Sequence, residues 1–345
     1  MPISRMPRAS CAAAGLERFG LLLPMSVGAN IVKACGLALL AATDTLDLRG
    51  AALVFAAADT VELLASVFLF YRAVPLRLRW RGLAARYGAL VRAALPLLGT
   101  VAFAAAMARF DWIFLGARSP ALLAEYSFAY KVFELAQLPL LVIAPLLVPR
   151  FTRQLQGGGS PAFGNLYRYE MLLASGVALG LNLAWPLLGG MLSGGRYGAV
   201  NTGTIALLSA AIPLLYLNNL CWSLHFAAGR TGLIFRIFAG SFVLNALANL
   251  GLVPVFGKEG AAAAYMLAVA LQTLAYHRCL PAAQRPAWGP LLLSSGAAAA
   301  GAALGAALGG PAGILSGGLL YLLLLGATRL VRPQDRALLA ARRQP

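Results

Sequence analysis

Residues 94–150 read ALPLLGTVAFAAAMARFDWIFLGARSPALLAEYSFAYKVFELAQLPLLVIAPLLVPR, and how this stretch is read decides the fold. Two apolar runs, approximately 93–116 and 122–148, flank the short turn GARSPALL. Each is long enough for an α-helix, rising about 1.5 Å per residue, to cross a hydrocarbon core about 30 Å thick. So short a turn folds the second helix back along the first as an antiparallel hairpin. Four ionisable residues, Arg109, Asp111, Lys131 and Glu134, interrupt the apolar pattern of the two legs.

The same pattern extends along the chain. Further apolar stretches lie at approximately 19–42, 51–71, 171–192, 203–226, 234–255, 260–276, 288–309 and 312–330. The predicted fold class is therefore all-α, a polytopic integral membrane protein with about ten transmembrane helices. Composition agrees: 60% of the 345 residues are hydrophobic and 11% charged, with a mean hydropathy of +0.78. Soluble domains carry roughly 25% charged residues.

The net charge of +17 follows topology. Alternate connections hold 21 of the 28 Lys and Arg residues, including Arg5, Arg8, Arg18 and the six arginines of RAVPLRLRWRGLAARYGALVR. The opposite side holds Arg49, Arg118, Arg196 and Lys258. The positive-inside rule then puts both termini in the cytoplasm. The basic excess also suits anionic headgroups of membrane lipids. No nucleic-acid-binding module or basic–aromatic stripe accompanies it, so nucleic acid is not an expected partner.

Composition shifts divide the chain into a first hairpin (1–71), a basic connection without acidic residues (72–92), a six-helix bundle (93–280), a second hairpin (288–330) and a basic tail (331–345). The break GGGSP lies between the fourth and fifth spans, and Pro96, Pro139, Pro145, Pro186 and Pro213 are expected to bend their helices. Gly301, Gly305 and Gly309, at four-residue spacing, permit close helix approach. The first eighteen residues are too polar for a signal-peptide core, so insertion is expected to rest on the spans themselves. Cys11, Cys35, Cys221 and Cys279 have neither disulfide-framework nor zinc spacing, and no metal or cofactor is expected.

Seven charges lie well within spans: Lys33, Asp59, Glu62, Arg109, Asp111, Lys131 and Glu134. Each costs about 2.5–3.5 kcal/mol at mid-helix, so unpaired they oppose insertion by roughly 20 kcal/mol. On an unbroken helix Arg109 and Asp111 point to opposite sides and look toward different neighbours. Measured from the turn, Arg109 lies at a depth of about 10 Å, Lys131 about 12 Å and Glu134 about 16 Å. Arg109–Glu134 and Asp111–Lys131 are thus feasible pairs across the hairpin, and Lys131 and Glu134 also share a face. These charges either staple the hairpin or line a cavity for an anionic headgroup, and the less neutralised of Arg109 and Lys131 is then the better phosphate ligand. On the first hairpin, Lys33 can neutralise Asp59 or Glu62, as a staple or as part of a proton- or cation-coupling site. Asn218, Asn219, His225, Asn245 and Asn249 read as interhelical hydrogen-bonding groups.

Taken together, ALPLLGTVAFAAAMARFDWIFLG, AEYSFAYKVFELAQLPLLVIAPLLVPRFTR, SGGRYGAVNTGTIALLSAAIPLL, NALANLGLVPVFGKEGAAAAYMLA and YLLLLGATRLVRPQDRALL resemble the bacterial flippases of lipid-linked oligosaccharides. These belong to the multidrug/oligosaccharidyl-lipid/polysaccharide exporter superfamily. The resemblance covers most of residues 15–340 through the order and spacing of the segments. It implies a MATE-like, two-lobed helical transporter in the bacterial inner membrane, working by alternating access. Its substrate would be an undecaprenyl-diphosphate-linked oligosaccharide, moved from inner to outer leaflet, with polysaccharide-assembly proteins as partners. In related lipid II flippases a cation in the helix matching 122–148 is implicated in diphosphate binding. That position corresponds to Lys131 here, with Arg109 as second choice. Lysine in place of the relatives' arginine keeps a point charge but loses the bidentate fork.

GLERFGLLLPMSVGANIVKACG, residues 15–36, resembles the start of the family's fifth helix, so about four helices of the N-lobe are absent. The chain is expected to be a fragment or a reduced form with an incomplete N-lobe. The competing readings are a multidrug or organic-cation antiporter of the same superfamily, for which Asp59 and Glu62 are suited, and an inactive remnant. A membrane enzyme is not expected, because no acidic pair stands beside a histidine at a span end and no large extramembrane loop exists.

Overall fold

A charge or a proline in an apolar helix marks where its hydrogen-bond ladder can fail, and those marks set the element boundaries. The computed structural model describes residues 22–45, 47–73, 83–157 and 163–330. Arg5, Arg8, Arg18, Cys11, part of the 72–92 connection, most of the GGGSP break and the basic tail lie outside the described residues. Among the described residues every regular element is helical. The chain divides between Tyr87 and Gly88 into two compact units.

The first unit contains α1 (Leu22–Ala42) and α2 (Leu48–Ala73), packed as a hairpin. Asp47 caps α2, its carboxylate accepting from the Gly50 amide at 2.6 Å. Gly36 lets α2 approach closely, since a Cβ there would lie 2.6 Å from Val54 Cγ1. Lys33 pairs with Asp59 at 2.7 Å.

Helix α3 (Leu83–Met107) contains the division and opens the second unit from Gly88 on; its Phe103 ring lies 5.7 Å from Phe235 and 5.4 Å from Phe242. Next come α4 (Phe110–Arg118), α5 (Pro120–Ala136), α6 (Leu138–Gln156) and α7 (Gly164–Leu192). They are followed by α8 (Thr202–Ala210), α9 (Ile212–Ala227), α10 (Thr231–Cys279), α11 (Trp288–Leu308) and α12 (Gly310–Ala327). Helix α9 is central, with faces against α6, α7 and α10, and Tyr216, Leu220, Cys221 and His225 are buried along it. The core also holds Trp185, Tyr126, Phe133 and Phe151. Leucines such as Leu141, Leu247, Leu315 and Leu322 point outward, as lipid-facing residues do.

Against the ten spans expected, seven helical segments among the described residues are long and apolar enough to cross a membrane: Ala94–Arg118, Leu138–Gln156, Gly164–Leu192, Ala199–Ala227, Thr231–Cys279, Trp288–Leu308 and Gly310–Ala327. The chain is accordingly a multi-pass, membrane-type helical protein. Two differences have clear causes. The expected span 122–148 is two helices, because Pro139 has no amide to continue the ladder and Gln137 bonds back only three residues, to Glu134 O at 3.1 Å. The expected spans 234–255 and 260–276 are two helices that follow one another without a loop as the arms of α10, parting at Gly257 (φ 61°, ψ −130°). There the chain folds back, since a Cβ on Gly260 would lie 2.3 Å from Leu252 O. A similar interruption at Ala211, just before Pro213, separates α8 from α9.

Helices α11 and α12 pack through glycine. A Cβ on Gly317 would meet Gly301 O at 2.4 Å, and one on Gly313 would meet Gly305 O at 2.3 Å. Of the three spaced glycines, Gly301 and Gly305 build the contact, whereas Gly309 (φ 63°) forms the turn. Tyr321 anchors α12 on α7, sharing a 2.8 Å hydrogen bond with Ser175. Gly318, by contrast, faces open space. Gly317→Ala should therefore lower stability by about 1–3 kcal/mol through overpacking, while Gly318→Ala should leave it unchanged or slightly higher. Thermal unfolding of the two variants in detergent compares them directly.

Candidate functional site

The charges of the α3–α5 region gather around a helix break. Helix α3 stops at Met107, and Arg109 (φ −137°, ψ −6°) sits at the start of α4. Arg109 N donates to Ala106 O at 3.0 Å and Trp112 N to Arg109 O at 3.2 Å, so the ladder tightens and fails here. The expected continuous span 93–116 is thus interrupted at its two charged residues.

This break changes where the charges point. Arg109 and Asp111 both reach α5, as expected, but through different partners, Glu134 and Tyr126. Arg109 Nη2 donates to Glu134 Oε1 at 2.7 Å, the pairing judged feasible from depth alone. Asp111 does not pair with Lys131. Its carboxylate accepts from the Tyr126 hydroxyl and, at 2.9 Å, from the Trp112 amide, and the residue is 1% exposed. In the first turn of α4 that carboxylate also lies at the positive end of the helix dipole. A hydroxyl and an amide satisfy Asp111 without a cation, which frees Lys131.

Lys131 Nζ donates to Glu134 Oε2 at 2.7 Å, so one carboxylate holds two cations, one on each oxygen. The cations are not equally committed. Arg109 also donates to Ala108 O at 3.0 Å and lies over the rings of Trp112 and Tyr130, 4.5 and 5.2 Å from their centroids. Among the described residues Lys131 makes only its bond to Glu134, and 59% of its side chain is exposed, against 40% for Arg109. Two cations against one carboxylate leave a positive excess on the accessible side, because Asp111 is buried behind Tyr126. Such a patch can receive an anion at little cost in desolvation. No group of His, Cys, Asp and Glu able to hold a metal ion occurs among the described residues.

In the first unit, Lys33 takes Asp59, while Glu62 has no ion-pair partner among the described residues. Of the polar groups on the later helices, Asn218 Nδ2 does bond across helices, to Val269 O at 3.1 Å and Gln272 Oε1 at 3.2 Å. Asn249 instead bonds Asn245 O within its own helix at 2.9 Å, and His225 stacks on Tyr276 at 5.7 Å.

Three charges have surroundings the sequence reading did not give them, Lys258 and Arg118 having been read only as charges of the connections. Lys258 is buried and pairs with Glu125. Arg118 Nη1 donates to Val253 O at 2.9 Å and Pro254 O at 2.5 Å, satisfying carbonyls released by the fold-back at Gly257. Glu170 is buried at 2% exposure, with neither oxygen hydrogen-bonded among the described residues. Its place one residue before an apolar run was the available signal.

The division of labour has a testable consequence. Tyr126→Phe strips a buried carboxylate of its hydroxyl donor and should cost about 1–3 kcal/mol, whereas Lys131→Ala should change stability by less than about 0.5 kcal/mol. Denaturation of both variants in the same detergent measures the difference. Comparison with known proteins adds no name to this geometry: no family model and no curated protein matches the chain.

Proposed function

We propose that the chain is a membrane transporter of the flippase type. It moves an oligosaccharide linked to a lipid diphosphate from the inner to the outer leaflet of the bacterial cytoplasmic membrane, in service of polysaccharide assembly, and is built as a MATE-like bundle. The observation that carries this reading is Glu134 shared between Arg109 and Lys131, which leaves an accessible positive excess on largely apolar helices. A diphosphate is the anion such a pair suits: Lys131 meets it as a point charge, and Arg109, held by Glu134 and the aromatic rings, supports from behind. A lipid-borne substrate also accords with a cavity of about 1140 Å³ between α7, α8 and the α11–α12 hairpin, whose walls are largely apolar (Leu179, Leu183, Ala299, Ile314).

A second reading rests on Glu62. A carboxylate on an apolar helix without an ion-pair partner among the described residues suits an organic cation, as in a multidrug antiporter. Proteoliposomes carrying a fluorescent undecaprenyl-diphosphate oligosaccharide, scored by quencher accessibility, separate the two readings. Lys131→Ala should lower the flipping rate roughly 10–100-fold, as expected for loss of a charge-assisted contact, and Lys131→Arg should retain most of it. An unchanged rate in Lys131→Ala would remove Lys131 from the site. Proton-coupled uptake of an organic cation without flipping would favour the antiporter.

A further inference from the structure

We propose that Glu170 is a proton-binding site, and that loss of its proton draws Arg150 of α6 toward it. Between residues 138 and 330 the chain has two acidic residues, Glu170 and Glu259. Glu259 accepts a hydrogen bond from the Thr204 hydroxyl at 3.1 Å. Glu170 is 2% exposed, and neither of its oxygens meets a donor among the described residues. An ionised carboxylate enclosed in this way has lost its hydration and received nothing in exchange, whereas the neutral acid loses far less. The arrangement therefore suits the acid with its proton in place.

The neighbouring helices bring little that could hold a negative charge. Tyr167 and Ala174 share the Glu170 face of α7 and are buried in one cluster with Tyr216, Leu220 and Cys221 of α9. Tyr216 and Cys221 lie within electrostatic reach of Glu170, but both are ordinarily neutral and neither bonds to it. Helices α8 and α11 and the turn Ala199–Asn201 carry no ionisable side chain. Helix α12 carries Tyr321, whose hydroxyl is engaged by Ser175 and the Leu172 carbonyl. Helix α5 meets α7 where Phe128 lies 6.1 Å from Trp185, about 22 Å further along, and its charges pair with Lys258 and Arg109. Arg168, two positions before Glu170, stands about 200° around the helix.

Among the described residues, the cation that acts on Glu170 is Arg150, exposed near the end of α6 and not bonded to it. Helices α6 and α7 both pack on α9. Ionisation of Glu170 leaves a bare anion beside α9, and the Arg150 guanidinium, on its long stem, is the group in position to meet it. The charge on one buried carboxyl thus acts on how α6 lies over α9. Glu170 stands about 9 Å along α7 from Gly164, so its proton reaches solvent without crossing the bundle.

The test is infrared spectroscopy of the full chain in detergent, read in the carbonyl region of protonated carboxylic acids. At about pH 7 the wild type should show an acid band that Glu170→Gln lacks, and raising the pH should abolish it. Arg150→Gln removes the nearby cation, so its band should survive to higher pH, with proton affinity up roughly 3–10-fold. Arg150→Lys and Arg153→Gln should titrate as the wild type does. An unfolded chain releases this proton in the ordinary range, around pH 4.3. As the pH rises above that, the wild type should lose thermal stability relative to Glu170→Gln, which keeps the neutral shape throughout. Matching carbonyl spectra of wild type and Glu170→Gln at about pH 7 would overturn the proposal. So would a titration unmoved by Arg150→Gln, or loss of the band at constant pH on adding sodium but not choline, which would mark a metal-ion site.

Discussion

Hydrocarbon offers no water to a charge or a peptide group, and this one constraint orders the described structure. Asp111 and Lys258, buried in the second unit, find their partners inside the protein, and the broken helices are where such partners are arranged. At Arg109 the ladder opens and the guanidinium turns onto Glu134. At Gly257 it opens again, and Arg118 covers the carbonyls released. At these two breaks a cation stands beside the opened ladder.

The same constraint explains what the sequence made legible. Arg109–Glu134 and Lys33–Asp59 were readable because each joins neighbouring legs of a hairpin, and Lys131–Glu134 because the two stand three residues apart on one helix face. The partner of Asp111 was not. Its direction depends on a helix interruption two residues away, and its needs are met by a tyrosine, which reads as an ordinary core aromatic. Glu125–Lys258 joins residues 133 positions apart, so no local pattern could reveal it. The helix count differed for a related reason: hydropathy marks apolar stretches but is blind to where a ladder fails inside one, as at Gln137.

The described parts of the second unit divide their polar groups by purpose. Asp111, with Tyr126 and the Trp112 amide, is closed off and satisfied. The Glu134 cluster is open, with more cation than anion on its accessible side. Glu170 is a third kind, a carboxylate enclosed without a hydrogen-bond donor among the described residues. Closed groups fix helices in register; open ones leave interactions for a ligand.

The glycine seam between α11 and α12 has a mechanical consequence. Where Gly301 meets Gly317 and Gly305 meets Gly313, backbone lies directly against backbone, with Leu179 and Leu183 of α7 closing the contact from the side. The two helices therefore behave as one stiff blade. Any change in the cavity's width then falls to the opposite wall, where Pro186 removes one hydrogen bond from the continuous helix α7 and Pro213 stands in the first turn of α9.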